Sequence, residues 1–348
     1  MNPTIALLLA QDGLTNGVIY ALLAVAILLV FLVTRILFVP QGEFVVLGAI
    51  TLAELQRGQS PRALWLLAAL AAISVLVETV RSARTRDWSQ WLRQTIFCLS
   101  ALAIAAAVSA LATGPAPLVV KMLAVLCLIA PMGPMLYWAA FKNIAQSSVL
   151  TLLFAAVAVH YVLQGLMLPL FGPEGFRVEA FVQGRIDVGV TRLSLQLILV
   201  TAVFIVLVTA LWMFFRFSIL GKILRATSVN RVGARLVGIS PDMSGAAAFG
   251  LASLIGAVSG ILIAPLTTMY YDSGFLLALK GFVGAVVGGL ASFPLAAGGS
   301  LLVGMLESIS SFYASALKES LVFAALIPIL LYMSITQLTG RGGEEHEE

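Results

Sequence analysis

The chain has 348 residues, of which 61% are hydrophobic and only 10% charged, with a formal net charge of +4 and a mean hydropathy of +1.06. That composition excludes a soluble globular domain and any nucleic-acid-binding role; most of this chain has lipid for its solvent. Two cysteines, two histidines and scattered acids offer no nucleophile–base pair and no metal-ligand spacing, so no enzyme and no metal site is expected.

In chain order, about eleven apolar segments stand out: 14–34, 36–55, 62–80, 96–112, 117–139, 147–170, 193–215, 243–265, 278–292, 295–313 and 319–338. They are long and do not alternate with polar residues, which predicts helices rather than a barrel. The fold class is therefore all-α: a polytopic membrane helix bundle of about 8–11 transmembrane segments, some of them short and broken. With Arg35 the first basic residue, the charged n-region of a cleaved signal peptide is not expected.

The first break is "FVPQGEFVVLG" (Phe38 to Gly48). Pro40 removes a backbone donor, Gly42 is flexible, and Gln41 and Glu43 stand just inside an apolar run. Two readings stay open: a broken helix lining a path, or a helix start with Glu43 reaching the headgroups. Further on, "RSARTRDWSQWLRQ" (Arg81 to Gln94) mixes arginines with Trp88 and Trp91, and predicts a helix lying in the headgroup layer. Cys98 and Cys127 lie in apolar runs and are expected to be small buried residues; His160 also sits in an apolar run, and with no second ligand nearby no metal site is expected there.

If each segment crosses, Arg35, Arg81, Arg84, Arg86, Arg93, Lys142 and the basic residues from Arg216 to Arg235 share one side, which is then the cytoplasm. The opposite side receives Arg57, Arg62 and a long loop from Phe171 to Arg192, where "FRVEAFVQGRIDVGV" predicts a small hairpin. The N-terminus is then outside and the C-terminus inside, provided that the short Gly-rich segment 278–292 crosses rather than re-enters.

Between the seventh and eighth segments, 216–242 forms a loop that holds five of the twenty basic residues. Read as a helix from Val229 to Leu236, it puts Val229, Val232 and Leu236 on one face and Arg231 and Arg235 on another. Gly238 suits the helix end and Pro241 the start of the next element. A loop resting on lipid and a helix docking in a partner's groove both fit this pattern. Beyond it, Gly256 and Gly260, then Gly284 and Gly288, form GxxxG pairs for close helix packing. Glu307 is an acid deep in a span, read as an interior polar contact. The tail 341–348 is polar and expected to be disordered.

Several stretches together resemble the H-type permease of bacterial branched-chain amino acid ABC importers. "GLTNGVIYALLAVAILLVF" is similar to that family's opening span through Gly13, Gly17, Tyr20, Ala21 and Leu22. "LFVPQGEFVVLGA" is similar to its Asn-Phe-Ala-His-Gly-Glu signature at Phe38, Gly42 and Glu43, with Leu37 and Gln41 in place of Asn and His. "GKILRATSVNRVGARLVGI" resembles its cytoplasmic loop at Gly221, Arg225, Ala226, Asn230, Ala234, Gly238 and Ile239, and "FVGAVVGGLASFPLAAGGSLLVGMLESI" its Gly-rich C-terminal block. Residues 12–56 and 216–335 carry the likeness; 58–140 match poorly and look like extra spans, all within one transmembrane permease domain, 1–340. Val229 replaces the family's usual Gln or Glu, and Ser334, Ile335 and Thr336 stand where Pro-Thr-Gly is usual.

The resemblance implies a multi-pass protein of the bacterial inner membrane and an importer subunit for branched-chain or related amino acids. Its implied partners are a second permease, two cytoplasmic ATPases and an extracytoplasmic solute-binding protein. The loop becomes a coupling helix, with Arg225, Val229, Asn230, Arg231, Val232, Arg235, Leu236 and Gly238 as candidate ATPase contacts. No cofactor is expected in this chain, which lacks a phosphate-binding loop; ATP and Mg would sit on the partner ATPases. Gln41, Gly42, Glu43, Tyr270, Tyr271 and Asp272 are candidates for the translocation path. The alternative is an ion-coupled secondary transporter of small polar solutes, suggested by Glu43 and Glu307 within spans.

Overall fold

A computed structural model describes residues 3–86, 88–188, 191–290 and 292–331. The chain enters through α1 (Pro3–Thr34), α2 (Gln41–Gln56), α3 (Ala63–Thr85), α4 (Trp88–Ala112) and α5 (Leu118–Ile129). Next comes α6 (Met132–Leu136), which continues through a π turn (Tyr137–Phe141) and a 3-10 turn (Lys142–Ile144), and then α7 (Val149–Phe171). A hairpin of β1 (Arg185–Val188) and β2 (Thr191–Ser194) leads into α8 (Leu195–Phe217), α9 (Ile219–Val229) and α10 (Arg231–Leu236). The last helices are α11 (Pro241–Ile263), α12 (Ser273–Val287), α13 (Phe293–Tyr313) and α14 (Lys318–Ala324). Among the described residues, eight helical stretches are long and apolar enough to span a membrane, so this is an all-α multi-pass bundle with one small hairpin.

Contacts sort the connections onto two ends. At one end the Arg231 guanidinium donates to the carbonyl of Val33 at 2.9 Å, Lys142 pairs with Glu78 at 2.8 Å, and Phe215 packs on Phe293. At the other end Arg62 donates to Leu170, Phe176 bridges to Met269, and Ser308 donates to Leu9. This is the grouping expected if every segment crosses, and the first end carries the arginine-rich connections.

The two short elements cross in a particular way. From Arg35, at φ 60°, to Pro40 the chain is not helical, and α2 starts only at Gln41, against the middle of α11. Here α2 begins inside the bundle, not at residue 36. Likewise α12 has 15 residues, roughly 22 Å, short of the ~30 Å hydrocarbon layer. The non-helical stretch 264–272 supplies the upper part of that passage, and Leu290 reaches the level of Ala24 and Leu28 at the basic end. The segment expected at 278–292 therefore runs through the bundle from a start at Ser273.

Two further expectations are corrected. Arg81 to Gln94 form no helix lying flat: α3 and α4 are antiparallel helices meeting at a tight turn, with Arg86 left-handed at φ 57°. The final segment, 319–338, is described only to 331, and the tail 341–348 lies outside the described residues.

Glycines set which helices touch. Gly48 lies against Ala257, and Gly256 and Gly260 lie against Phe44, Val45 and Ala49, joining α2 to α11. Gly284 and Gly288 meet Ser300 and Leu295, joining α12 to α13, while Gly304 meets Gly17 of α1. Such close approach gains dispersion contacts that lipid tails cannot supply. Beneath the start of α2, Phe38 packs edge-on to Phe249 at 4.6 Å and also against Phe44 and Phe141, filling the interior toward the basic end.

Candidate functional site

At the centre, the first turns of α2 and α12 meet. A Cβ on Gly42 would fall on the backbone of Gly274, so only glycine at both positions lets the two helix starts touch. Beside this contact, His160 of α7 places Nδ1 2.9 Å from Glu43 Oε1, with both side chains buried. The His160 ring stacks on Phe275 at 4.7 Å, which fixes its plane. Gln41 donates from Nε2 to the carbonyl of Ala252 at 2.9 Å. Its amide oxygen and both Glu43 oxygens make no hydrogen bond to a described residue, the His160 contact being a close approach of the two groups. Leaving a buried polar group unpaired costs about 1–3 kcal/mol, so such groups mark a place under functional demand.

The structure thus brings Gln41, Gly42 and Glu43 together with the stretch before α12. Tyr270 and Asp272 are exposed just outside the contact, Tyr271 is half-buried against the core, and Ser273 accepts from the Tyr270 amide at 3.1 Å. His160 and Gly274 belong to this cluster although sequence reading assigned them no role in it. The available signal for His160 was physical: a polar ring and an acid in separate apolar runs each need a partner.

A second buried cluster holds α1, α12 and α13 together. Lys280 Nζ lies 2.6 Å from Glu307 Oε1, and the Tyr20 hydroxyl donates to the other Glu307 oxygen. Lys280 also faces the Tyr20 ring at 5.6 Å and the Glu319 carboxylate at 3.9 Å. Glu307 is an interior contact, as its depth suggests, and its partner is a lysine that the sequence reading passed over.

At the basic end, α9 and α10 make the loop. The helix expected over Val229 to Leu236 is interrupted: Asn230 is extended, at φ −149° and ψ 104°, and its side chain caps α10 by accepting from Gly233 at 2.9 Å. Val229 therefore closes α9, and α10 spans only Arg231–Leu236. Gly238 follows at φ 85° and Pro241 opens α11. Val229, Val232, Leu236 and Val237 are 72–84% exposed, apolar side chains that no described residue covers. Arg225 and Arg235 are exposed, but Arg231 turns inward to cap the carbonyl end of α1. Partial burial lowers the Arg231 pKa from its ordinary value, and nearby Tyr137 opposes that shift. The two arginines thus have different surroundings.

Residues 93–332 match the family model described as the permease component of the branched-chain amino acid transport system. That match begins inside α4. The LivH permease proteins of the high-affinity branched-chain amino acid transport systems of Salmonella typhimurium and Escherichia coli K12 are each 30% identical over 210 residues, 58% of this chain and 68% of theirs. The BraD permease protein of Pseudomonas aeruginosa is 30% identical over 167 residues, 46% of this chain and 53% of its own. No solved structure matches the chain. With a central crossing of two broken helices inside a multi-pass bundle, and with the family match covering most of the sequence, this chain belongs to the branched-chain amino acid transport permeases, as an H-type subunit of the Liv importer family.

Proposed function

We propose that this permease forms one half of the solute path of an ATP-driven importer for branched-chain or related amino acids in the bacterial inner membrane. Solute arrives from an extracytoplasmic binding protein, a second permease completes the path, and two cytoplasmic ATPases supply the work, with ATP and Mg bound on those subunits. The observation that carries this reading is the uncovered ridge of α10, an apolar strip at the basic end between two membrane helices. Burying Val232 and Leu236 in a partner's groove would contribute about 1.5–3 kcal/mol each, while Arg235 and Arg225 steer the encounter.

The meeting of α2 and α12 then acts as the gate. In this arrangement the Gly42–Gly274 contact closes the centre, and the phenylalanines around Phe38 close it toward the basic end. Motion of α10 relative to α1 and α11 separates the two helix starts and opens Glu43 and Gln41 to the solute. The relatives named for branched-chain amino acid transport support that solute class.

Reconstitution tests the reading. Labelled leucine should enter proteoliposomes only when ATP, both ATPases, the second permease and the binding protein are present. Uptake by this chain alone, driven by an ion gradient, would instead favour ion coupling through the buried Glu43–His160 pair.

A further inference from the structure

The hairpin of α3 and α4 holds a second feature that solute transport does not use. Its two helices are tied by a Ser74–Cys98 contact at 3.3 Å and by the Trp91 indole, which donates to the Thr79 hydroxyl at 2.8 Å. Beside that seam lies an apolar groove of about 470 Å³, lined by Ala72, Leu76 and Val80 from α3 and Thr95, Leu99 and Leu102 from α4. Lining residues extend along α3 from Ala68 to Val80, roughly 18 Å, comparable with the ~15 Å half-thickness of the hydrocarbon layer. Leu76 and Leu99 are more than half exposed, so the groove opens toward lipid.

What lies below the groove is charged. Arg84 stands one helical turn beyond Val80 on the same face of α3, and Arg86 follows in the turn; both are exposed. Trp88, half-exposed and edge-on to Trp91 at 5.8 Å, stands two turns below Thr95 on α4. Tryptophan and arginine at this level mark headgroup depth. Thr95 adds a hydroxyl with no hydrogen-bond partner among the described residues, unlike Thr79, which donates to the carbonyl one turn back.

We propose that this hairpin binds one anionic phospholipid of the leaflet at the basic end: an acyl chain fills the groove and the phosphate sits on Arg84 and Arg86. The charge decides against another occupant. A transmembrane helix seated on the groove would need acids at its end to meet Arg84 and Arg86, and its apolar flank supplies no such counter-charge. An acyl chain fits the crevice, and an anionic headgroup supplies the counter-charge. The site does not depend on the importer partners proposed above, so it stands or falls separately from them.

Native mass spectrometry of the full-length chain in detergent, with phosphatidylglycerol or phosphatidylcholine of identical acyl chains, tests this. Phosphatidylglycerol should bind selectively. Arg84→Gln with Arg86→Gln should remove the selectivity, weakening phosphatidylglycerol about fivefold per arginine, and the Arg→Lys pair should keep most of it. Ala72→Trp, which fills the groove, should abolish binding of both lipids. Equal binding of the two lipids by the unaltered chain would overturn the proposal, as would unchanged binding after Ala72→Trp. So would a photo-crosslinker at Leu76 that captures a second polypeptide in the native membrane instead of lipid.

Discussion

Helices α1 and α8 are equally apolar, yet 89% of the apolar core of α1 is buried in the protein and only 22% of that of α8. Hydropathy gets both into the membrane and says nothing about which one lipid touches, because lipid tails are as apolar as leucine. Glycine separates them. Gly13 and Gly17 let α1 lie against Met305, Leu301 and Gly304 of α13, whereas α8 has no glycine and turns bulky side chains such as Ile205, Val206 and Trp212 outward from the bundle. Polar pairing adds to the contrast: Tyr20 of α1 bonds Glu307 inside the bundle, and Lys280 meets the same carboxylate from α12. Between these two helices, close-packing glycines and the Tyr20–Glu307–Lys280 cluster make the difference.

The largest effect should come from breaking the interior charge pair. Lys280→Met leaves Glu307 buried without its cation and should destabilise the protein by about 3–5 kcal/mol, read as a lower melting temperature in detergent. Adding Glu307→Gln should recover much of that loss, and no recovery would mean that Lys280 acts through packing alone. Next come the glycines. A Cβ at Gly260 would strike the backbone of Val45, so Gly260→Leu should cost about 1–3 kcal/mol or more. At Gly165 of α7 nothing lies within reach, and Gly165→Leu should leave the melting temperature nearly unchanged. Equal effects at the two glycines would break the distinction drawn above. Smaller still in stability, Glu43→Gln keeps volume but replaces the carboxyl group facing His160 with an amide; it should lower uptake about tenfold while the melting curve hardly moves.

Much of this fold is legible in the sequence because membrane segments announce themselves by length and hydropathy, and arginine placement sorts their ends. The hairpin expected within 176–190 lies later, pairing Arg185–Val188 with Thr191–Ser194, whereas the Gly238–Pro241 punctuation and the interior setting of Glu307 follow from residue type and position. The central cluster does not. Glu43 and His160 lie on helices α2 and α7, and Gly42 meets Gly274 across the bundle, so no local spacing connects them. Lone polar residues in apolar runs say that partners exist without naming them. The loop shows a finer limit: periodicity puts Val229, Val232 and Leu236 on one ridge, but the break at Asn230 and the inward turn of Arg231 depend on capping and on the end of α1.

That inward turn also selects the cleanest test of the account. Reversing Arg231 would disturb the seat of α10 on α1, whereas Val232 and Leu236 are largely exposed. With the Val232→Glu, Leu236→Glu double variant co-expressed with its ATPases, the account predicts normal membrane insertion, an unchanged melting temperature and no ATPase co-purification or ATP-driven uptake. Full co-purification and uptake by that variant would contradict it.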